Sequence, residues 1–493
     1  MSCFAERCDA FDAAANERLL RELHDRRIER VRIAWCDVHG LMRGKTLMTS
    51  ALRPALEEGV GMVGTLMLKD TSDRTALKVF EPGALAVPGL ARLAGAANLL
   101  LLPDPASFRV LPWAEGCGWL RAEPRFDDGS PVAIDPRQAL QSALHELAAA
   151  GFGLRCGLEI EFHIYRITDQ GLDPAGAEWP GEPPSLALIH PGWQLLGEAW
   201  ADLADEPLAI VQRTALGLGL RLRSLEIELG PSQVEAVFDA TDALTAADQA
   251  ALFRSAVRQA LRRAGYHASF VCRPPFANVM ASGWHLHQSL VSLDDGRNAF
   301  ARETPAGDAA DADDARQVLS DTGAAWLAGL LAHARGASLC STPTINGHSR
   351  FKPNAMAPVS VLWGRDNRGA MLRVLGRAGP SEPRATRIEN RSGEPMANPY
   401  LYIASQIHAG LDGLRRGLQP PPATASPYAD GGERLPTSLG EAIAAFDADP
   451  VMQQGFGAPL AHVYSAIKRT EQARHDEAED SAAWQRREYF SRY

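Results

Sequence analysis

At 493 residues the chain is too long for one small core, so two domains, one of them large, are expected. Its 46% hydrophobic and 22% charged residues supply a buried core and exclude wholesale disorder, and a formal net charge of -10 argues against general nucleic-acid or anionic-membrane binding. Seven scattered cysteines without a Cys-x-x-Cys pair exclude a disulfide framework and a zinc ribbon; no apolar run reaches the ~18 residues of a membrane span, and an N-terminus with Glu6, Asp9 and Asp12 is unlike a signal peptide, which makes the cytoplasm the expected compartment.

In chain order, residues 15–30 place apolar side chains at helical spacing between charges and predict a short amphipathic helix. Val31–Trp35 alternates as a strand, Asp37-Val38-His39-Gly40 breaks it, and Leu41–Leu47 returns as the second strand of a hairpin. A further strand is expected at Asn98–Leu102 and another extended piece at Leu111-Pro112-Trp113, and this β-rich opening stops near Pro124. Asp135-Pro136 reads as a helix cap before Gln138–Ala150, and Thr241/Asp242 as the cap of a long helix, Ala243–Gly265. Strands alternating with long helices fit an α+β design around an antiparallel sheet. Asp308–Asp314, an Ala/Asp tract, and Gln419–Gly432, rich in Pro, Ala and Gly, read as surface loops.

The chemistry is carried by pairs at two-residue spacing inside apolar strand-like runs: Glu159 with Glu161, Glu226 with Glu228, and His285 with His287. Side chains alternate across a strand, so each pair shares one face. A single acidic pair is usually a salt-bridged edge, but here Glu235 lies beyond the Gly230-Pro231-Ser232 turn and Glu389 sits in Arg387-Ile388-Glu389-Asn390-Arg391. Carboxylates among apolar neighbours need a partner, and oxygen-rich sets with an imidazole suit Mg²⁺ or Mn²⁺. Arg350, Arg365, Arg368, Arg373, Arg387 and Arg391 form a complementary set for phosphates and carboxylates. By contrast, Gly40-Leu41-Met42-Arg43-Gly44-Lys45-Thr46 lacks one residue between its glycines to make a Walker loop, and is rejected as a nucleotide site.

These segments, together with Pro343-Thr-Ile-Asn346, Trp363-Gly-Arg-Asp-Asn-Arg368 and Ala397-Asn-Pro-Tyr400, resemble the ordered motif series of the glutamine synthetase family over almost the whole chain. The resemblance implies an N-terminal β-grasp domain at 1–125 and a large catalytic domain at 126–493. It implies two to three Mg²⁺ or Mn²⁺ ions, one on Glu161, Glu228 and Glu235 and a second on Glu159, His285 and Glu389. It also puts His287 and Ser289 at ATP, Arg368, Arg373 and Arg387 at the phosphates, and Arg350 and Arg391 at L-glutamate. Asp37 would reach the site of a neighbouring subunit in stacked rings, a dodecamer, so a monomer should be inactive. The implied reaction phosphorylates the side-chain carboxylate of glutamate with ATP, and an amine then attacks the acyl phosphate.

Two departures from the family pattern bear on the amine. Met356 stands where the ammonia-using enzymes carry a glutamate, and Met280-Ala281-Ser282 replaces the usual small glutamate contact before His285. Losing that charge disfavours an ammonium ion, whereas a thioether makes room for an organic amine. The expected acceptor is an apolar, aniline-like amine or a small alkylamine, walled by Met280, Met356 and either Trp363 or Phe351. A true glutamine synthetase, a γ-glutamylpolyamine synthetase and a non-catalytic relative are the alternatives.

Overall fold

The computed structural model describes residues 4–8, 12–304, 313–353, 355–379 and 385–493. The first expected helix is present as Ala13–Asp25, with the Asp12 carboxylate capping the Ala15 N–H, but it stops well before Arg30. Arg27 takes a left-handed φ of 53° and the Ile28 N–H returns to the Leu23 carbonyl. Glycine usually makes that C-terminal turn, so the sequence carries no sign of it. The chain then enters β1 (Arg30–Cys36) and returns as β2 (Met42–Met48), the expected hairpin. Its turn is closed by Asp37, whose carboxylate accepts the His39 and Leu41 N–H groups at 3.0 and 2.9 Å, and by Gly40 at φ 78°.

With β3 (Val60–Val63), β4 (Asn98–Pro103), β5 (Arg109–Val110) and β6 (Cys117–Arg125), these strands make a six-stranded sheet ordered β2-β1-β6-β4-β3, with β5 on β6. The extended piece expected at Leu111–Trp113 is displaced: pairing is made by Arg109 and Val110, and Pro112, which has no N–H to give a ladder, sits in the turn that follows.

A second sheet holds the remaining strands: β7 (Phe152–Asp169), β8 (Ser185–Leu188), β9 (Leu222–Ile227), β10 (Gln233–Asp242), β11 (Tyr266–Ser269), β12 (Trp284–Ser292), β13 (Trp363–Arg365), β14 (Leu372–Leu375) and β15 (Arg387–Gly393). Its order is β13-β14-β15-β12-β7-β10-β9, with β8 and β11 also on β7, and every pairing except β13 with β14 is antiparallel. Helices flank both sheets, the α+β architecture read from the sequence. Leu158, Ile160 and Phe162 of β7 are buried beneath the helix Ala243–Arg263, where Phe162 stacks on Phe270 at 4.9 Å and meets Phe253 edge-on at 5.9 Å. Asp242 caps this helix and Asp135 caps Pro136–Ala149, both as expected. Because one face of β7 is committed to that apolar layer, its alternate residues Glu159 and Glu161 must face the other way.

Gln419–Gly432 is irregular, as expected, while most of Asp308–Asp314 lies outside the described residues. Among the described residues no helix is long and apolar enough to cross a membrane.

One tie between the two sheets is fully buried. Buried Arg254 donates to Pro395 O and Ala397 O at 2.6 and 2.8 Å and to Gly40 O at 3.0 Å, and Asn398 Nδ2 donates to Asp37 O at 2.8 Å. Replacing Arg254 with Met would leave buried carbonyls without donors and is expected to cost about 2–4 kcal/mol of stability. Urea unfolding checks this, and an unchanged midpoint would contradict the tie.

Candidate active site

Strand register converts separated sequence pairs into one cluster. Glu235 on β10 stands directly opposite Glu161 on β7 and opposite Glu226 on β9, so three carboxylates form a row across three strands. On the other side of β7, His285 on β12 is opposite Glu159, and His287 is opposite both Gly157 and, on β15, Glu389. Arg373 on β14 is opposite Glu389 in turn. Directly opposed residues share a face, so acids, imidazoles and an arginine all line one side of the sheet.

Side-chain contacts follow from that register. His285 Nδ1 lies 3.2 Å from Glu159 Oε2, and its Nε2 is buried, has no hydrogen-bond partner and stands 3.7 Å from Glu161 Oε1. With Nδ1–H donated to Glu159, the Nε2 lone pair points at carboxylates, the arrangement of a metal donor. His287 is held differently. Its Nδ1 accepts from Arg387 Nε at 3.1 Å, so Nε2 carries the proton that it gives to Glu159 Oε1 at 2.9 Å. That tautomer offers a metal no lone pair.

Glu389 is fully buried and takes Arg373 Nη1 at 2.9 Å and Arg391 Nη1. Two ligand-atom groups lie within 4.8 Å, Glu159 with Glu235 and His285, and Glu159 with His287 and Glu389. Glu159 is thus common to both, a different grouping from the two sets implied by the family resemblance. Glu228 sits just past the end of β9, where its N–H donates to Gln233 O at 3.0 Å.

The charges are out of balance on the acidic side. Burial, reinforced by the Glu161 charge, pushes Glu228 up to about 7, and the same causes push Glu235 up further. On the imidazole side burial is outweighed: hydrogen bonds from His285 and His287 hold Glu159 far below the usual carboxylate range, and the neighbouring His285 and Arg391 bring Glu389 down to about 2. Burial, with Arg391, pushes His285 down. A site with an orphaned imidazole nitrogen and protonated acids in a carboxylate row suits a divalent cation, which would replace those protons.

The remaining expected residues divide. Arg373 bridges Glu389 and Asp366, at 3.0 Å from Asp366 Oδ1. Arg391 Nε donates to Arg368 O at 3.0 Å and its Nη2 reaches Met356 O at 3.4 Å. Buried Arg350 donates to Arg391 O and Gly393 O at 2.9 and 3.2 Å. The Arg368 side chain is exposed, and Ser289 is half-buried on the same face of β12 as His285 and His287. Met280 and Ala281 are half-buried, with Ala281 O 3.4 Å from Gln233 Nε2. Asp37 lies in no contact with this cluster; it is buried in its own turn, bound by Arg43 Nε at 2.6 Å.

Trp363 does not wall the site. It is buried in the core with its indole N–H on Pro421 O at 2.7 Å, and Phe351 is half-buried against the same core. Met356 is 50% exposed at a left-handed φ of 51° and lines a pocket of about 480 Å³ with Asn367, Gly369, Pro427 and Tyr428. Sequence reading missed Gln233 as a hub: its amide donates to Glu161 Oε2 at 3.2 Å and to Ser282 Oγ at 3.0 Å, while its Oε1 accepts from Gly230 N. The available signal was its two-residue spacing from Glu235.

A model of the glutamine synthetase catalytic domain matches residues 133–489. The chain is 37% identical to a γ-glutamylanilide synthase of an Acinetobacter species, over 97% of this chain and 96% of that protein. It is 30% identical to the γ-glutamylethanolamide synthetase GlnA4 of Streptomyces coelicolor, over 94% and 93%. Solved structures of GmaS resemble it without ligand (TM-score 0.75, 29% identity) and as an ADP complex (0.74, 28%), each covering 95% of this chain and 98% of the other.

Raised carboxylates give a test with a definite sign. A group whose folded pKa lies above its unfolded value contributes stability at low pH and loses it as pH rises through the folded value. The metal-free protein should therefore lose thermal stability as pH rises through about 7, where Glu228 ionises beside Glu161. Added Mg²⁺ or Mn²⁺ should cancel the loss, so the melting difference with and without cation widens toward high pH. A difference independent of pH between about 5.5 and 8 would contradict this account of the carboxylate row.

Proposed function

This chain belongs to the glutamine synthetase family, and on that premise we propose that it is an ATP-dependent ligase that joins the γ-carboxylate of L-glutamate to an apolar organic amine through a γ-glutamyl phosphate. The observation that carries this reading is the single sheet face on which an acidic row meets arginines, one of which, Arg391, reaches the backbone carbonyl of Met356.

In our assignment two to three Mg²⁺ or Mn²⁺ ions are held by Glu159, Glu161, Glu228, Glu235, His285 and Glu389. When bound, they would neutralise phosphate charge and align the terminal phosphate with the glutamate carboxylate. His287 and Ser289 lie at the nucleotide, the Ser289 hydroxyl as a donor. Arg373 and Arg387, with exposed Arg368 free to swing in, offset the negative charge that grows as the phosphoryl group passes to the carboxylate. Arg391 and Arg350 orient glutamate. Arg350 spends donors on Arg391 O and Gly393 O, which fixes its guanidinium plane for one remaining bidentate contact.

The acyl phosphate then meets the amine. An alkylamine with pKa near ~10.4 must lose a proton before it attacks, whereas an arylamine is already neutral at pH 7. No acid stands at Met356 to hold a cation, and Met280, Ala281 and Met356 offer apolar contact, which supports a neutral acceptor. Of the named relatives, one makes an anilide, from a neutral arylamine, and another an ethanolamide, so both take an organic amine. We further propose a division at 125/126, supported by the two separate sheets, and a ring assembly in which the Asp37 turn of a neighbouring subunit closes each site. The carboxylate of Asp37 holds Leu41 and Arg43, so that turn would act as a rigid unit.

Glutamate-dependent ADP formation with aniline, isopropylamine, ethanolamine and ammonia side by side tests the acceptor. Aniline or isopropylamine should give the highest kcat/KM. Met356→Glu should raise kcat/KM for ammonia about tenfold and lower it for aniline. Saturation by ammonia alone, with no response to larger amines, would make the protein a true glutamine synthetase instead. Glu159→Ala removes the carboxylate common to both ligand groups and should abolish ADP formation with every amine.

A further inference from the structure

A cavity of about 740 Å³ lies away from the carboxylate row, between the helix Ala243–Arg263, the β7–β8 connection, the Gly40 turn and the C-terminal residues Ser491–Tyr493. Arg254, Arg258 and Arg262 line it from successive turns of that one helix. Residues at i, i+4 and i+8 share a face, and like charges at that spacing destabilise a helix by a few tenths of a kcal/mol per pair. Carboxylate partners would normally relieve this, yet among the described residues all three guanidiniums donate only to backbone carbonyls. Arg254 binds Pro395 O, Ala397 O and Gly40 O; Arg258 binds Ser491 O at 2.8 Å and Arg492 O; Arg262 binds Gln170 O at 3.4 Å. Both acids on the opposite wall are engaged elsewhere. Asp173 accepts the Ala175 N–H in its own turn at 2.9 Å, and Glu182 is paired with Arg486 and Arg487 at 2.8 and 2.6 Å. Burial, together with the neighbouring Arg254 and Arg262 charges, pushes Arg258 down to about 10.

We propose that this cavity binds a small organic carboxylate with an apolar, aromatic body. The charge argument asks for an anion, and a planar guanidinium fork matches a carboxylate through two parallel hydrogen bonds. Leu41, Leu172, Tyr266 and Phe270 supply apolar wall, and the volume suits a molecule of metabolite size. The cavity holds none of the residues assigned above to metal, nucleotide or glutamate; it shares only the Gly40–Met42 turn with the proposed ring contact, and it does not depend on the amine assigned to the ligase.

The test is calorimetric titration of the protein saturated with Mg²⁺, ADP and glutamate, so that the carboxylate and phosphate subsites of the catalytic face are filled. Benzoate should bind saturably, acetate more weakly, and Arg258→Gln or Arg262→Gln should each weaken benzoate about tenfold or more with Mg²⁺-ADP affinity unchanged. Should Arg258→Gln fail to fold, Arg262→Gln decides, since that guanidinium holds only Gln170 O. The proposal is overturned if benzoate acts no differently from NaCl at equal ionic strength, if its affinity in the folded variants equals that of the unsubstituted protein, or if acetate or inorganic phosphate binds as tightly.

Discussion

Glu226, Glu235 and Glu161 face one another across hydrogen-bonded strands, with Glu159 one step further along β7. Two unit charges at ~5 Å repel by about 3 kcal/mol at an effective dielectric near 20, and directly opposed like charges are among the pairings a sheet disfavours. The fold can keep such a row only if something positive occupies the space before it or if some of the acids hold protons. Burial and repulsion drive Glu228 and Glu235 toward the second solution, and a bound divalent cation would supply the first. The other features of the site answer to this one constraint.

The imidazoles and arginines across β7 form the counterweight. Glu389, completely buried, is acceptable only because Arg373 and Arg391 both reach it, and Arg391 in turn fixes the carbonyls of Arg368 and Met356. The guanidinium that backs buried Glu389 therefore also holds the backbone that presents Met356, coupling the carboxylate cluster to the Met356 loop. The two histidines, identical in the sequence pattern, are separated by their neighbours. Arg387 donates to His287 and fixes its proton on Nε2, while His285 keeps a bare Nε2 toward Glu161.

Much of this architecture was readable in advance because it rests on local rules. Asp135 and Asp242 announce their helices as side-chain caps, the Asp37–Gly40 turn announces its hairpin, and two-residue spacing puts Glu159 with Glu161 and His285 with His287 on shared faces. Where a local signal was missing, reading failed for an identifiable reason. Arg27 ends the first helix in a conformation normally marked by glycine, Pro112 moved a strand pairing to its neighbours, and Trp363 looked like a site wall until its indole was found bonded inside the core.

By itself, then, the sequence determined most element types, the α+β class and which carboxylates, imidazoles and arginines share a strand face, because side-chain periodicity and chemistry are properties of the chain. Only the tertiary structure decided which of them meet. Strand register set Glu235 against Glu161 and Glu226, gave both groups of clustered side chains a common Glu159 and made Gln233 a hub. Register is a long-range choice: segments separated by tens to hundreds of residues slide until their apolar faces are buried, and no spacing along the chain encodes where they stop.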